Sequence, residues 1–294
     1  MSDVTSPTGG RLAGVFWMLV STASYGVMGA GTKVAVPMAG LAAVLFWRSV
    51  FITLLTYVLG RARGVSMRPV NHRLLFWRSL TGFIAMVCYF WALSVIPLAT
   101  ASALLYTNPV LVVLLAGVLI GERVPRGTLP LALAAFVGVL VIMRPDTGDL
   151  DLGAVAALTA GVMAALAYLA VRRLRVTDTT EGIVLYFSAF CVLGAAPFAL
   201  SGAFGSALPE DPMAWWYFLV IGLGAAGGQL AMTEAYRLEK ASVIGPFSYA
   251  TVIWSAILGW WLFDEPVEGT SALGILLIIG AGGLLSRRAN AEAT

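Results

Sequence analysis

Charge is the scarce commodity in this sequence. Of 294 residues, 18 are Lys or Arg and 15 are Asp or Glu, against 60% hydrophobic residues and a mean hydropathy of +0.90. So few charges cannot cover a soluble globule, and the long apolar runs belong in lipid. The ten-residue alternation of a membrane β-barrel is absent, because the runs here are continuous and far longer. A lone histidine, His72, excludes a two-histidine metal site. The two cysteines, Cys88 and Cys191, sit inside apolar segments and are expected as reduced thiols without a disulfide. No GxxxxGK[ST], HExxH or GxSxG occurs and no aspartate pair lies within a span, so neither an enzyme nor a bound cofactor is expected. The net charge of +3 and pI near 9.0 suggest nucleic acid, but the basic residues gather at span ends, as membrane topology requires. No nucleic-acid partner is expected.

What the sequence has is apolar stretches of membrane-crossing length. Ten are read: Leu12–Ala30, Met38–Leu59, Leu74–Val95, Leu98–Ile120, Thr128–Met143, Leu152–Val171, Gly182–Ser201, Ala214–Tyr236, Ala241–Phe263 and Thr270–Ser286. The first is too long for a signal peptide and lacks a small-residue cleavage site before Lys33. The fourth and ninth look alike. Offset by 143 residues, the stretch Trp91–Glu122 matches Glu234–Glu265, pairing Ala92 with Ala235, Tyr106 with Tyr249, Leu115 with Leu258 and Glu122 with Glu265. A weaker match, offset by 139, pairs Gly14 with Gly153 and Lys33 with Arg172 in the first and sixth spans. Five spans per repeat is an odd number, so the second half must cross the membrane in the opposite sense. The expected organisation is a tail over 1–11, a first repeat over 12–143, an outer linker over 144–151, a second repeat over 152–286 and a tail over 287–294. With the N-terminus inside, 14 Lys and Arg fall on the inner side and only Lys33 and Arg144 on the outer. Both termini are therefore expected in the cytoplasm.

Polar residues within spans mark candidate function, since lipid offers them no partners. Arg48 lies near the midplane of the second span, where it could hold a substrate carboxylate or satisfy carbonyls. Arg78, only about a turn from the inner boundary, reads as a snorkelling side chain. With Arg48 alone in mid-span, no basic cluster is present and highly anionic substrates are disfavoured. Trp17, Ser21 and Tyr25 form a stripe on the first helix. Tyr89, Tyr106, Asn108, Gln229, Tyr249 and Trp254 also fall within spans, and Pro109 frees a carbonyl one turn back. The two repeat-related tyrosines, Tyr106 and Tyr249, are placed to meet near the pseudo-twofold axis. Packing alone is the competing account of these aromatics. Glu122 and Glu265 end their spans and read as caps or partners of a nearby Arg. Glu234 reads as an ion pair with Arg237 three residues on. With no deeper carboxylate to relay protons, movement down a gradient is expected.

The residues 97–109, Pro-Leu-Ala-Thr-Ala-Ser-Ala-Leu-Leu-Tyr-Thr-Asn-Pro, followed by Gly121-Glu122, and the stretch Gly228–Glu265, resemble the EamA family of the drug/metabolite transporter superfamily. The resemblance covers about residues 12–286, and within the family it is greatest to YddG-type exporters of aromatic amino acids. It implies an all-α integral membrane protein of ten helices in two inverted five-helix repeats. It also implies a central cavity lined by the first, third, fourth, sixth, eighth and ninth helices. The expected function is export of amino acids or related small metabolites across a bacterial inner membrane by alternating access. The alternative is another solute class, such as drugs, nucleotide sugars or S-adenosylmethionine; a scaffold would not need polar groups at the midplane. A zwitterionic amino acid is expected with its side chain among Trp17, Tyr89, Tyr106 and Tyr249 and its polar end near Asn108 and Gln229. A monomer is expected, with a homodimer as the alternative.

Overall fold

The computed structural model describes residues 7–95, 102, 104–143, 152–201, 208–209, 211–264 and 269–291. The 144–151 linker, residues 97–101 of the repeated stretch and Glu265 lie outside them. The described residues form helices α1 (Pro7–Ala39), α2 (Leu41–Ala62), α3 (His72–Val95), α4 (Asn108–Ile120), α5 (Thr128–Met143), α6 (Leu152–Leu174), α7 (Thr180–Leu200), α8 (Pro212–Leu238), α9 (Ala241–Phe263) and α10 (Gly269–Ala291). Among them, seven are long and apolar enough to cross a membrane, and α4, α5 and α10 are shorter apolar helices.

Local chemistry sets the ends. Thr179 caps α7 by accepting from the Gly182 N–H at 3.1 Å, and Asp211 caps α8 by accepting from Met213 at 2.8 Å with Pro212 next in line. Gly121 closes α4 in the left-handed conformation, φ 69°. Two elements depart from the sequence reading. The first helix runs from Pro7 through Pro37 to Ala39, well past Ala30. The ninth is not continuous: Ala241–Ile244 gives way to a 3₁₀ turn, Gly245–Tyr249, before the helix resumes at Ala250. Pro246 has no N–H to return to Ser242, so the regular ladder stops there.

Helix pairing carries the internal repeat. The closest partners are α1 with α8 and α3 with α6; advancing each label by five turns the first pair into the second. The same step exchanges α1–α9 with α4–α6 and α2–α8 with α3–α7, and returns α2–α7 and α5–α10 to themselves. A twofold relation between the halves produces this exchange. The α5–α10 crossing is the tightest in backbone terms. A Cβ on Gly138 would lie 2.7 Å from the Gly274 carbonyl oxygen, and one on Gly274 would lie 2.6 Å from that of Gly138.

Candidate functional site

The largest apolar cluster occupies the end of the bundle where α6 and α8 finish and α7 and α9 begin. Met18, Leu75, Ala116, Leu174, Ile183 and Tyr236 are among its buried members. Polar ties close over it. Glu122, at the end of α4, accepts from Arg172 Nε at 2.6 Å and from the Ala241 N–H at 2.9 Å. Arg172 Nη1 in turn donates to the carbonyls of Tyr236 at 2.8 Å and Arg237 at 3.1 Å. One ion pair thus links α4, α6, α8 and α9; the expected Arg partner of Glu122 is found, and the helix start it meets is that of α9 and not of the next helix, α5. Loops join at the same end: Asp178 accepts from the N–H groups of Val70 and Asn71, and Arg63 pairs with Glu181 at 3.1 Å. Glu234 pairs with Arg237 at 2.9 Å, as read, and also accepts from Thr180 at 2.8 Å. Towards the opposite end the packing is divided. Ala35, Ala43, Val44, Phe218 and Ile221 gather α1, α2 and α8, whereas Ala92, Ala156 and Ala157 join α3 to α6 in a separate cluster.

Between these ends sits a polar cluster built from both halves. Arg78 is 1% exposed, so the expectation that it snorkels to the boundary is overturned. Its Nη2 donates to Gln229 Oε1 at 3.1 Å, and its guanidinium lies 3.6 Å from the centroid of the Phe187 ring. Gly82, one turn further along α3, makes the room: a Cβ there would lie 2.9 Å from Arg78 Nη1 and 2.8 Å from Phe187. The Tyr25 ring packs on Gly228, the residue before Gln229. Arg48, half-buried on α2, finds only thioethers: Met28 Sδ at 3.4 Å from Nε and Met86 Sδ at 3.6 Å from Nη1. Met86, which Arg48 meets, and Gly82, which makes room for Arg78, follow Arg78 at four-residue steps along one face of α3, so both guanidiniums lie against that face. Tyr168 of α6, missed by the sequence reading, stacks on Tyr236 at 5.8 Å. An arginine at a helix centre costs about 2.5–3.5 kcal/mol on insertion scales, the range that applies to Arg48 near mid-span.

The other expected site residues are placed elsewhere. Ser21 donates to the Gly228 carbonyl at 2.8 Å, tying α1 to α8 beside the cluster. Tyr89 shares a 2.9 Å hydrogen bond with Ser102. Tyr106 and Tyr249 do meet, ring centroids 6.3 Å apart, but Tyr249 is fully buried in an apolar cluster with Val139, Val252 and Ile278. Asn108 gives its amide to the Leu105 carbonyl at 2.8 Å, which is the carbonyl that Pro109 leaves without a donor. Trp17 is 38% exposed, edge-on to the exposed Phe16, and Trp254 is similarly open on α9, its Cβ beside Gly26 of α1. Tyr25, Arg48 and Gln229 therefore gather about Arg78 with Ser21 beside them, while Trp17, Tyr89, Tyr106, Asn108, Tyr249 and Trp254 make their contacts elsewhere. Cys88 and Cys191 are free thiols, and no group of three or more metal-ligating side chains occurs among the described residues.

An all-helical bundle of apolar spans around a buried cationic cluster is the frame of a membrane transporter, and the comparisons specify which. The model of the EamA-like transporter family matches twice, over residues 12–144 and 151–287, and the chain belongs to that family. Its relatives include the pseudopaline exporter CntI of Pseudomonas aeruginosa strain UCBPP-PA14, 33% identical over 276 residues, 94% of this chain and 96% of that one. A riboflavin transporter of Vibrio cholerae is 25% identical, covering 91% of each chain. An S-adenosylmethionine uptake transporter of Rickettsia prowazekii is 22% identical, covering 92% of this chain and 91% of the other. A solved crystal structure, 24% identical, superposes with a TM-score of 0.76 over 95% of this chain and 98% of its own, showing the shared fold. The chain is a small-molecule membrane transporter and not an enzyme.

Proposed function

We propose that this chain exports an amino acid or a closely related metabolite across a bacterial inner membrane by alternating access, as a monomer. One observation carries the reading: a buried polar cluster, drawn from both halves, lies beneath a closed end of the bundle. Arg78, Gln229, Tyr25 and Arg48 supply donors that a carboxylate can use, and Tyr25, Tyr168 and Phe187 supply aromatic surface beside them. The closed end, carrying Arg63, Arg172, Arg175 and Arg237, is the cytoplasmic one on the excess of basic residues, so the conformation is outward-facing. The shorter α4, α5 and α10 complete ten crossings in two inverted halves, and both termini lie in the cytoplasm. The relatives move unlike compounds, exporting pseudopaline or taking up S-adenosylmethionine, so the substrate is read from the site alone. Movement is gradient-driven, because Glu234, at the closed end, is engaged by Arg237 and Thr180, and the central cluster holds no carboxylate among the described residues.

The test is counterflow of a radiolabelled amino-acid panel into proteoliposomes loaded with unlabelled substrate. Exchange of at least one member, retained in Glu234→Gln, is expected. Absence of exchange for every member sinks the substrate reading, and uphill accumulation driven by a pH gradient and lost in Glu234→Gln sinks the mechanism. Labelling from the periplasm should reach a cysteine placed at Gly148 and not one at Ser66; the reverse pattern overturns the orientation.

A further inference from the structure

We infer that the central site takes a substrate of net negative charge, one carrying at least two carboxylates, in preference to a zwitterion. This rests on the transport reading above and names its substrate class. The observation is an imbalance of charge. Arg78 is 1% exposed, yet its Nε and Nη1 have no hydrogen-bond partner, and Nη2 is met only by a neutral amide. Arg48 is met only by two thioether sulfurs, which are weak acceptors. Four acids of the basic end are already engaged: Glu122 by Arg172, Glu181 by Arg63, Glu234 by Arg237 and Asp178 by the loop N–H groups. Two guanidiniums therefore share one neighbourhood without a counter-charge among the described residues.

The physical consequence follows from sign. A zwitterion brings no net charge, so the site would keep its excess of two, and its ammonium would approach two like charges. The one amide oxygen at hand, Gln229 Oε1, already accepts from Arg78. A dicarboxylate neutralises the excess and places oxygens on the unpartnered Nε and Nη1, where charge-assisted bonds are strongest. Gly82 makes the room that the Arg78 guanidinium itself fills, and the Phe187 face holds the guanidinium plane in place. The absence of a basic cluster, read from one Arg in mid-span, is thus replaced by a site with two.

The test is thermal-shift titration of the full-length protein in detergent, at fixed ionic strength, with alanine, tryptophan, glutamate, tricarballylate and inorganic phosphate. Apparent affinity should rise roughly tenfold or more from alanine to glutamate and again to tricarballylate. Arg48→Gln should weaken glutamate and tricarballylate by about tenfold or more while changing alanine and tryptophan by less than about threefold, and Arg48→Lys should recover part of the loss. Arg78→Gln should act alike; if it does not fold, the Arg48 series decides alone. Zwitterions that bind as tightly as tricarballylate, equal losses for all probes in Arg48→Gln, or phosphate matching tricarballylate would each overturn the inference. Counterflow with the same organic probes separates the two readings. Charge-dependent binding without exchange supports this inference and removes the transport reading. Exchange of zwitterions with no preference for charge does the opposite.

Discussion

Breaking the Glu122–Arg172 tie should open the end of the bundle proposed to face the cytoplasm. Glu122 meets both Arg172 Nε and the Ala241 N–H, and Arg172 goes on to two carbonyls of α8, so Glu122→Ala strands a guanidinium and a helix-start N–H together. Removing one partner of a buried pair costs about 3–5 kcal/mol. The two side chains keep 25% and 12% of their surface, and water repays part of that, leaving about 2–3 kcal/mol. If the tie exists only while this end is closed, the whole loss falls on the closed state. The opening equilibrium then moves by roughly 30- to 150-fold. Ile183, fully buried in the cluster beneath the tie, is the reporter. A cysteine there, in a Cys88→Ser, Cys191→Ser background, is labelled with an impermeant maleimide in inside-out vesicles. Labelling should accelerate in Glu122→Ala, whereas a cysteine at Val252, buried in a different cluster, should not respond. An unchanged rate at position 183, or an equal rise at both positions, would refute the argument, the latter showing general loosening instead.

Asn108→Ala should lower the melting temperature in proportion to one unmet carbonyl, about 1–3 kcal/mol, because Leu105 loses the donor that Asn108 supplies; Asn108→Ser should lose less, and a parent-like Asn108→Ala curve would disprove the pairing. Gly138→Ala sets a methyl against the Gly274 carbonyl and should cost about 1–3 kcal/mol in thermal stability while leaving probe affinities as they were; Gly282→Ala, which meets only Phe247 at 3.5 Å, is the control.

Much of the architecture was legible because membrane spans are written in composition. Apolar length located the helices, and the 143-residue offset anticipated both the symmetric pairing and the meeting of Tyr106 with Tyr249. The Glu122 and Glu234 partners followed from helix-end chemistry. Depth along the chain failed for Arg78, because depth says nothing of the partners a long side chain finds. The readable sign was Gly82 at i+4, which clears space for the guanidinium on the same face. Tyr168 was passed over because it lies close to the basic end of α6, where a tyrosine usually marks the interface. Hydropathy also could not reveal the break in α9: it scores Gly245-Pro246 by polarity, while the break comes from a missing N–H. The bond from the Asn108 amide to the Leu105 carbonyl has no pattern in the sequence beyond the Pro109 that frees that carbonyl.

The two halves of this bundle divide their labour unequally. Both arginines of the central cluster stand on the first half, at Arg48 and Arg78, while the second half answers with Tyr168, Phe187, Cys191 and Gln229, all neutral. A twofold fold therefore encloses a one-sided electric field. With the proposed rocking of the scaffold about that axis, a passenger at the proposed site would be gripped from one side. Change confined to the second half is then free to reshape the walls around a passenger, whereas its sign of charge is decided in the first.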